Sequence, residues 1–191
     1  MTLSLTALEV CCDGAMSEQK RDILTFDWAL VFAWLMATTS GWLFGWLLLP
    51  EVAPVTPGVG AGIMQSVVLV GRIPKAWRWM LATAIGWLAG RLIMIPISPA
   101  GMGLLSGVVI GATTGAAQWL LLRDRVNWAG WWIAISVLAW AAGISLAPPV
   151  NLAALPPIVL SGIMPSVLTG ITLALLLQTP KPAVEEEIDT N

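Results

Sequence analysis

The sequence predicts an all-α fold: an integral membrane six-helix bundle built from three αα-hairpin repeats with approximate threefold pseudo-symmetry. Three observations lead there. Hydrophobic residues fill 58% of the 191 positions and charged residues only 10%, with a mean hydropathy of +0.84, whereas a soluble domain carries roughly 25% charged residues. Apolar windows approaching the ~20 residues of a membrane span recur along the chain. Those windows also share residue patterns that keep their order.

The windows are Asp27–Leu49, Thr56–Gly71, Trp77–Ile97, Gly101–Leu122, Trp128–Leu146 and Leu155–Gln178. They divide the chain into an N-terminal segment (1–26), a membrane domain (27–178, hairpins about 27–72, 77–125 and 128–178) and an acidic tail (179–191) holding Glu185, Glu186 and Glu187. Residues 1–22 carry Glu9, Asp13, Glu18 and Asp22 against Lys20 and Arg21. That is not the positive n-region of a cleavable signal, so the first apolar window is expected to stay as a span.

Charge sets the orientation. Lys20, Arg21, Arg72, Lys75, Arg78, Arg123, Arg125 and Lys181 all fall on one side of the six windows, and Arg91 alone does not. The positive-inside rule makes that side cytoplasmic and puts both termini there. The opposite connectors are proline-rich, with Pro50, Pro54, Pro57, Pro96, Pro99, Pro148, Pro149, Pro156 and Pro157. Proline lacks a backbone donor and ends helices, so these read as short stiff turns.

The repeat is visible residue by residue. Gly41-Trp42-Leu43-Phe44-Gly45 matches Gly86-Trp87-Leu88-Ala89-Gly90 and Ala139-Trp140-Ala141-Ala142-Gly143, and a further tryptophan precedes each central one by eight residues, at Trp34, Trp79 and Trp132. Among the even windows, Gly62–Val67 recurs as Gly162–Val167 with Pro165 in place of Gln65, and Gly58-x3-Gly62-x2-Gln65 matches Gly111-x3-Gly115-x2-Gln118. The unit is an αα-hairpin repeated in parallel orientation.

The repeated residues have two readings. If Trp34, Trp79 and Trp132 mark the cytoplasmic interface, then Trp42, Trp87 and Trp140 stand about 12 Å deeper, and Gln65 and Gln118 stand about 10 Å above Arg72 and Arg125. An indole N–H in hydrocarbon needs an acceptor and a glutamine amide supplies one. This predicts a buried layer of Trp42, Trp87, Trp140, Gln65 and Gln118, serving either as helix–helix glue or as a ligand-contacting layer. The GxxxG glycines read as close-packing positions. Trp77, Trp79, Trp128, Trp131 and Trp132 read as an interfacial aromatic belt.

Arg91 is the odd charge, about 20 Å from Arg78 along a helix. Three readings stand for it: an ion pair with Glu51, outward snorkelling, or an anionic-ligand site.

Composition excludes several chemistries. His and Tyr are absent, which removes the commonest general base and metal ligand. No carboxylate lies deep in a window, and no HExxH, GxSxG, CxxC or phosphate-loop pattern occurs. No catalytic residue, metal or cofactor is therefore expected. The adjacent Cys11 and Cys12 read as two free thiols, because two neighbouring cysteines make no disulfide framework. A formal net charge of −2 gives no footprint for nucleic acid.

The hairpin signature Gly111-x3-Gly115-x2-Gln118-Trp119-Leu120-Leu121-Leu122-Arg123, followed by a Trp-rich helix ending Ala139–Gly143, resembles a group of uncharacterised bacterial polytopic membrane proteins with tandem repeats of this kind. The resemblance covers about residues 28–178. It implies an inner or internal bacterial membrane and brings no activity and no catalytic residue.

Two functions follow as expectations. The first is a non-enzymatic scaffold or accessory subunit, with the lipid bilayer and other membrane-protein subunits as partners. The second is a small transporter or a binder of a lipid-like ligand, with Trp42, Trp87, Trp140, Gln65, Gln118 and Arg91 forming the site. Parallel repeats occur in transporters, although coupled transport usually relies on ionisable groups that these windows nearly lack.

Overall fold

Apolar stretches bounded by Pro and Gly turns fold here into helices and nothing else. The computed structural model describes residues 26–48, 55–97, 103–146 and 155–181. Among them lie six α-helices: α1 (Trp28–Leu48), α2 (Thr56–Val68), α3 (Trp77–Met94), α4 (Leu104–Leu122), α5 (Trp131–Leu146) and α6 (Leu155–Leu177). No strand forms among the described residues beyond one isolated bridge between Val126 and Pro180. Cys11, Cys12, Glu51 and the acidic tail beyond Lys181 lie outside the described residues.

Three helical segments are long and apolar enough to cross a membrane: Trp28–Leu47, Leu104–Leu122 and Pro157–Leu177. The apolar α5 has 16 residues and α2 only 13. The window expected to run to Gly71 therefore stops at Val68. The chain turns there because Gly71 takes φ +81°, a left-handed conformation that glycine adopts without steric cost.

Each helix packs against its neighbours in sequence, and α1 closes against α6, so the six form a ring. Glycine makes the close approaches possible. A Cβ on Gly41 would lie 2.6 Å from the carbonyl carbon of Gly60, and one on Gly86 would lie 2.5 Å from Thr114 Cα. In the next hairpin a Cβ on Gly143 would sit 2.5 Å from the Ser161 carbonyl and 2.8 Å from the Pro165 ring. Backbones touching at these points leave no room for any side chain.

The distribution of polarity is inverted relative to a water-soluble bundle. Thr38, Gln65, Thr83, Ser106, Thr114, Gln118, Ser136, Ser161, Ser166 and Thr169 are all buried. The exposed face instead carries Phe32, Met36, Ile63, Val67, Ile85, Leu92, Leu105, Leu138, Leu160 and Leu175, among others. Exposed large apolar side chains thus recur on all six helices.

One end gathers the basic loops. Asp27 caps α1 by accepting the Leu30 N–H (2.8 Å) and also accepts from Arg72 (2.5 Å). These contacts, the Arg72 hydrogen bond first, hold the Asp27 carboxyl below its ordinary range. Arg125 donates to the Pro74 carbonyl (3.2 Å). The segment after α6 pairs with the 125–127 loop through Asn127 N–H to Thr179 O and Lys181 N–H to Arg125 O, each 2.8 Å. The three connections at this end are thus tied to one another.

Candidate functional site

The bundle axis is filled by two layers of three tryptophans. Trp34, Trp79 and Trp132 are buried and meet edge-on, with ring centroids 5.7, 6.4 and 5.5 Å apart. Trp42, Trp87 and Trp140 form the second layer, at 5.6, 5.5 and 5.1 Å. Edge-to-face indole pairs contribute about 0.5–1.5 kcal/mol each beyond their burial. Eight residues separate the members on one helix, so the layers are about 12 Å apart along the axis.

The glutamines serve the first layer, which corrects the expected pairing with Trp42, Trp87 and Trp140. Trp79 Nε1 donates to Gln65 Oε1 and Trp132 Nε1 to Gln118 Oε1, both at 3.0 Å. The reason lies in the turns. Because α2 ends at Val68, Gln65 stands within a turn of the helix end, and Trp79 stands equally close to the start of α3. Counting an unbroken helix from Gln65 to Arg72 had lifted the amide too high. Trp79 and Trp132 are accordingly core residues at 1% exposure and not part of an interfacial belt. Trp77, Trp128 and Trp131, at 56%, 74% and 60%, are the exposed ones.

Each amide has a second partner. Gln65 Nε2 donates to Thr38 Oγ1 (3.0 Å) and Gln118 Nε2 to Thr83 Oγ1 (2.8 Å). One glutamine therefore bridges the odd helices on both sides of its own. The sequence carries its own signal for these hydroxyls. A Thr or Ser stands midway between the paired tryptophans of every odd helix, at Thr38, Thr83 and Ser136.

The third link differs. Trp34 Nε1 donates to Thr169 Oγ1 at 2.9 Å. Thr169, seven residues after Gly162, takes the place that Gln65 holds after Gly58 and Gln118 after Gly111. Gly162 likewise faces Trp42 as Gly58 faces Trp87. The Gly62–Val67 and Gly162–Val167 match is thus displaced by one helical turn from spatial equivalence, and Pro165 does not occupy a glutamine site. Thr169 has no amide to extend, and Ser136 Oγ is buried without a hydrogen-bond partner.

In the second layer Trp42 Nε1 donates to the Ile158 carbonyl and to Ser161 Oγ, both at 3.1 Å. Arg91, one turn beyond Trp87 on α3, is buried at 6% exposure. Its expected partner Glu51 is outside the described residues. Among the described residues no three His, Cys, Asp or Glu side chains gather where they could hold a metal ion.

No known protein family, no curated protein and no solved structure matches the chain. The class the fold defines is therefore an all-helical chain with at least three membrane-length apolar helices around an indole-filled axis.

Proposed function

We propose that the chain is a six-span integral membrane protein with both termini cytoplasmic, three αα-hairpins in approximate threefold symmetry, acting as a non-enzymatic scaffold or accessory subunit of a membrane complex. The observation that carries this reading is the indole-filled axis with its bonded glutamines. Both glutamine amides are bonded on both sides to the protein's own indoles and hydroxyls. Six indoles fill the axis between them. A central ligand would have to break those bonds and displace the rings. The interior serves the fold, which leaves the outer surface to serve the protein's partners.

The span count rests on packing. The shorter α2 and α5 are wedged between longer apolar neighbours in the closed ring, so they share those helices' depth in the bilayer. The equivalence of Thr38–Gln65–Trp79 and Thr83–Gln118–Trp132 supports the hairpin repeat. The basic residues gathered at one end support the orientation. The repeat also favours kinship with the bacterial polytopic proteins that the signature resembles.

Affinity purification of the tagged chain from its native membranes, followed by mass spectrometry, tests the proposal. A stoichiometric membrane-protein partner is the expected result. A protein recovered alone, carrying a central small molecule that is lost on Gln65→Leu and Gln118→Leu substitution, would overturn it in favour of ligand binding or transport. Reporter fusions after Lys181 and within the Pro148–Pro149 connector check topology, with the first active in the cytoplasm and the second outside it.

A further inference from the structure

Three concavities meet at one side chain. Trp128 lies four residues before Trp132, as Lys75 lies four before Trp79, and both take left-handed backbone angles, φ 61° and 58°. That conformation is a genuine outlier for a bulky residue. Here the turn into each odd helix explains it. The turn does not explain why an indole stands there at 74% exposure with no place in the core.

On one side of Trp128 lies a shallow, charge-rimmed hollow of about 500 Å³ whose lining includes Trp119, Arg123, Asp124, Gly130 and Lys181. On the other side an apolar groove of about 370 Å³ runs between α5 and α6, past Trp131, Ile135, Thr172, Leu175 and Leu176. Thr172 to Leu176 spans about 6 Å of helix, and Thr179 lies just beyond the end of α6. A third hollow of about 330 Å³, beside Gly130 and Ala134, completes the junction.

The charges are arranged around the first hollow. Arg123 lies over the Trp119 ring at 5.6 Å, half exposed, with one long contact of 3.5 Å from its Nε to Asp124. Lys181 Nζ donates to the Arg123 carbonyl at 2.5 Å and makes no ion pair among the described residues. Among the described residues, two cations against one largely solvated carboxylate leave the cavity net positive.

The geometry points to a binding site for one anionic phospholipid of the cytoplasmic leaflet. Its phosphate group sits between Arg123 and Lys181, its glycerol region lies against the Trp128 indole, and one acyl chain lies in the α5–α6 groove. A free anion would use the cavity and leave the groove empty, whereas a neutral lipid would use the groove and leave the cations unmatched. A charged head continuous with an apolar tail fits both, with tryptophan at the boundary where membrane indoles collect. The assignment rests on the membrane orientation proposed above.

Native mass spectrometry of the full chain in detergent, titrated with phosphatidylglycerol and phosphatidylcholine, tests it. One retained phosphatidylglycerol in preference to phosphatidylcholine is expected. Each basic residue near an anionic leaflet favours binding by about fivefold, so R123A/K181A should lose about tenfold or more once Asp124 is allowed for. W128A should weaken retention of both lipids, and R78A, outside the cavity, should change nothing. These exposed side chains can be removed without opening the core, and an unchanged gel-filtration profile verifies that.

Equal retention of the two lipids, or an R123A/K181A protein that behaves like wild type, overturns the site. So does displacement of the lipid by glycerol phosphate at equal concentration, which would mark an anion site without a lipid groove. Failure of the membrane reading looks different, since the protein would then be recovered from the soluble fraction without detergent.

Discussion

Three hydroxyls stand midway between paired tryptophans, and the structure gives them unequal surroundings. Thr38 and Thr83 each accept a glutamine Nε2. Ser136, equally buried, has no partner. Thr38→Val and Thr83→Val keep side-chain volume but remove the acceptor, leaving an amide donor unpaired in the interior. Interhelical hydrogen bonds in membrane proteins average about 0.6 kcal/mol and reach about 1.7. A stranded buried donor costs about 1–3 kcal/mol. Each substitution is therefore expected to destabilise by about 1–2 kcal/mol. Ser136→Ala deletes a hydroxyl that was already stranded, so the expected change lies between zero and a gain of about 1 kcal/mol. Denaturant titration in mixed micelles, followed by tryptophan fluorescence, measures all three. A loss for Ser136→Ala equal to those of the threonine variants would refute the reasoning, because Ser136 would then have a partner and no link would be missing.

The same gap predicts that Thr169→Gln can extend an amide to Ser136. The added volume has its own cost, so the informative quantity is the coupling in a cycle with Ser136→Ala, expected at about 0.6–1.7 kcal/mol favourable and measured by the same titration. Gly86→Ala would bring its Cβ within 2.5 Å of Thr114 Cα, whereas Gly130 has open space around it. The first is expected to lose about 1–3 kcal/mol through overpacking and the second to stay near wild type in thermal unfolding. Asp27 has a depressed pKa, so its contribution is complete at neutral pH. That contribution is lost as pH falls below the unfolded value of about 3.9 and through the folded one. Exposed ion pairs contribute about 0.2–1 kcal/mol. Asp27→Asn should thus cost that much at pH 7, and its difference from wild type should shrink as pH falls through the unfolded value and then the folded one, in titrations at a series of pH values.

The helical class and the order of the hairpin patterns were legible because both follow from hydropathy and from residue identity at fixed spacing. The six odd-helix tryptophans were legible as a set for the same reason. Their depth was not. It depended on where α2 stops, and Gly71 breaks the helix three residues beyond Val68 inside a window that carries no charge. Moving that boundary transfers Gln65 from the second indole layer to the first. Even-helix register failed for a different cause. The five-of-six match between Gly62–Val67 and Gly162–Val167 is stronger than the spacing Gly162-x6-Thr169, yet the spacing is what the indoles recognise. A threonine can stand for a glutamine as an acceptor while failing as a second donor, and no identity-based match weighs half a hydrogen-bond pattern.

The departures among the hairpins carry more functional information than their agreements. Where they agree, the side chains are consumed by each other: Trp79 by Gln65, Trp132 by Gln118, glycine by the opposing backbone. Where they differ, one hairpin carries a residue type that its counterparts lack. Arg91 stands one turn beyond Trp87, where the corresponding positions after Trp42 and Trp140 hold Trp46 and Ile144. Trp128 stands where the preceding hairpin has Lys75. A lysine at that turn reaches water unaided, whereas an indole held out at 74% exposure stays favourable only against something apolar. On the six-span reading proposed above, Trp128 is therefore the departure at which a lipid is expected to act.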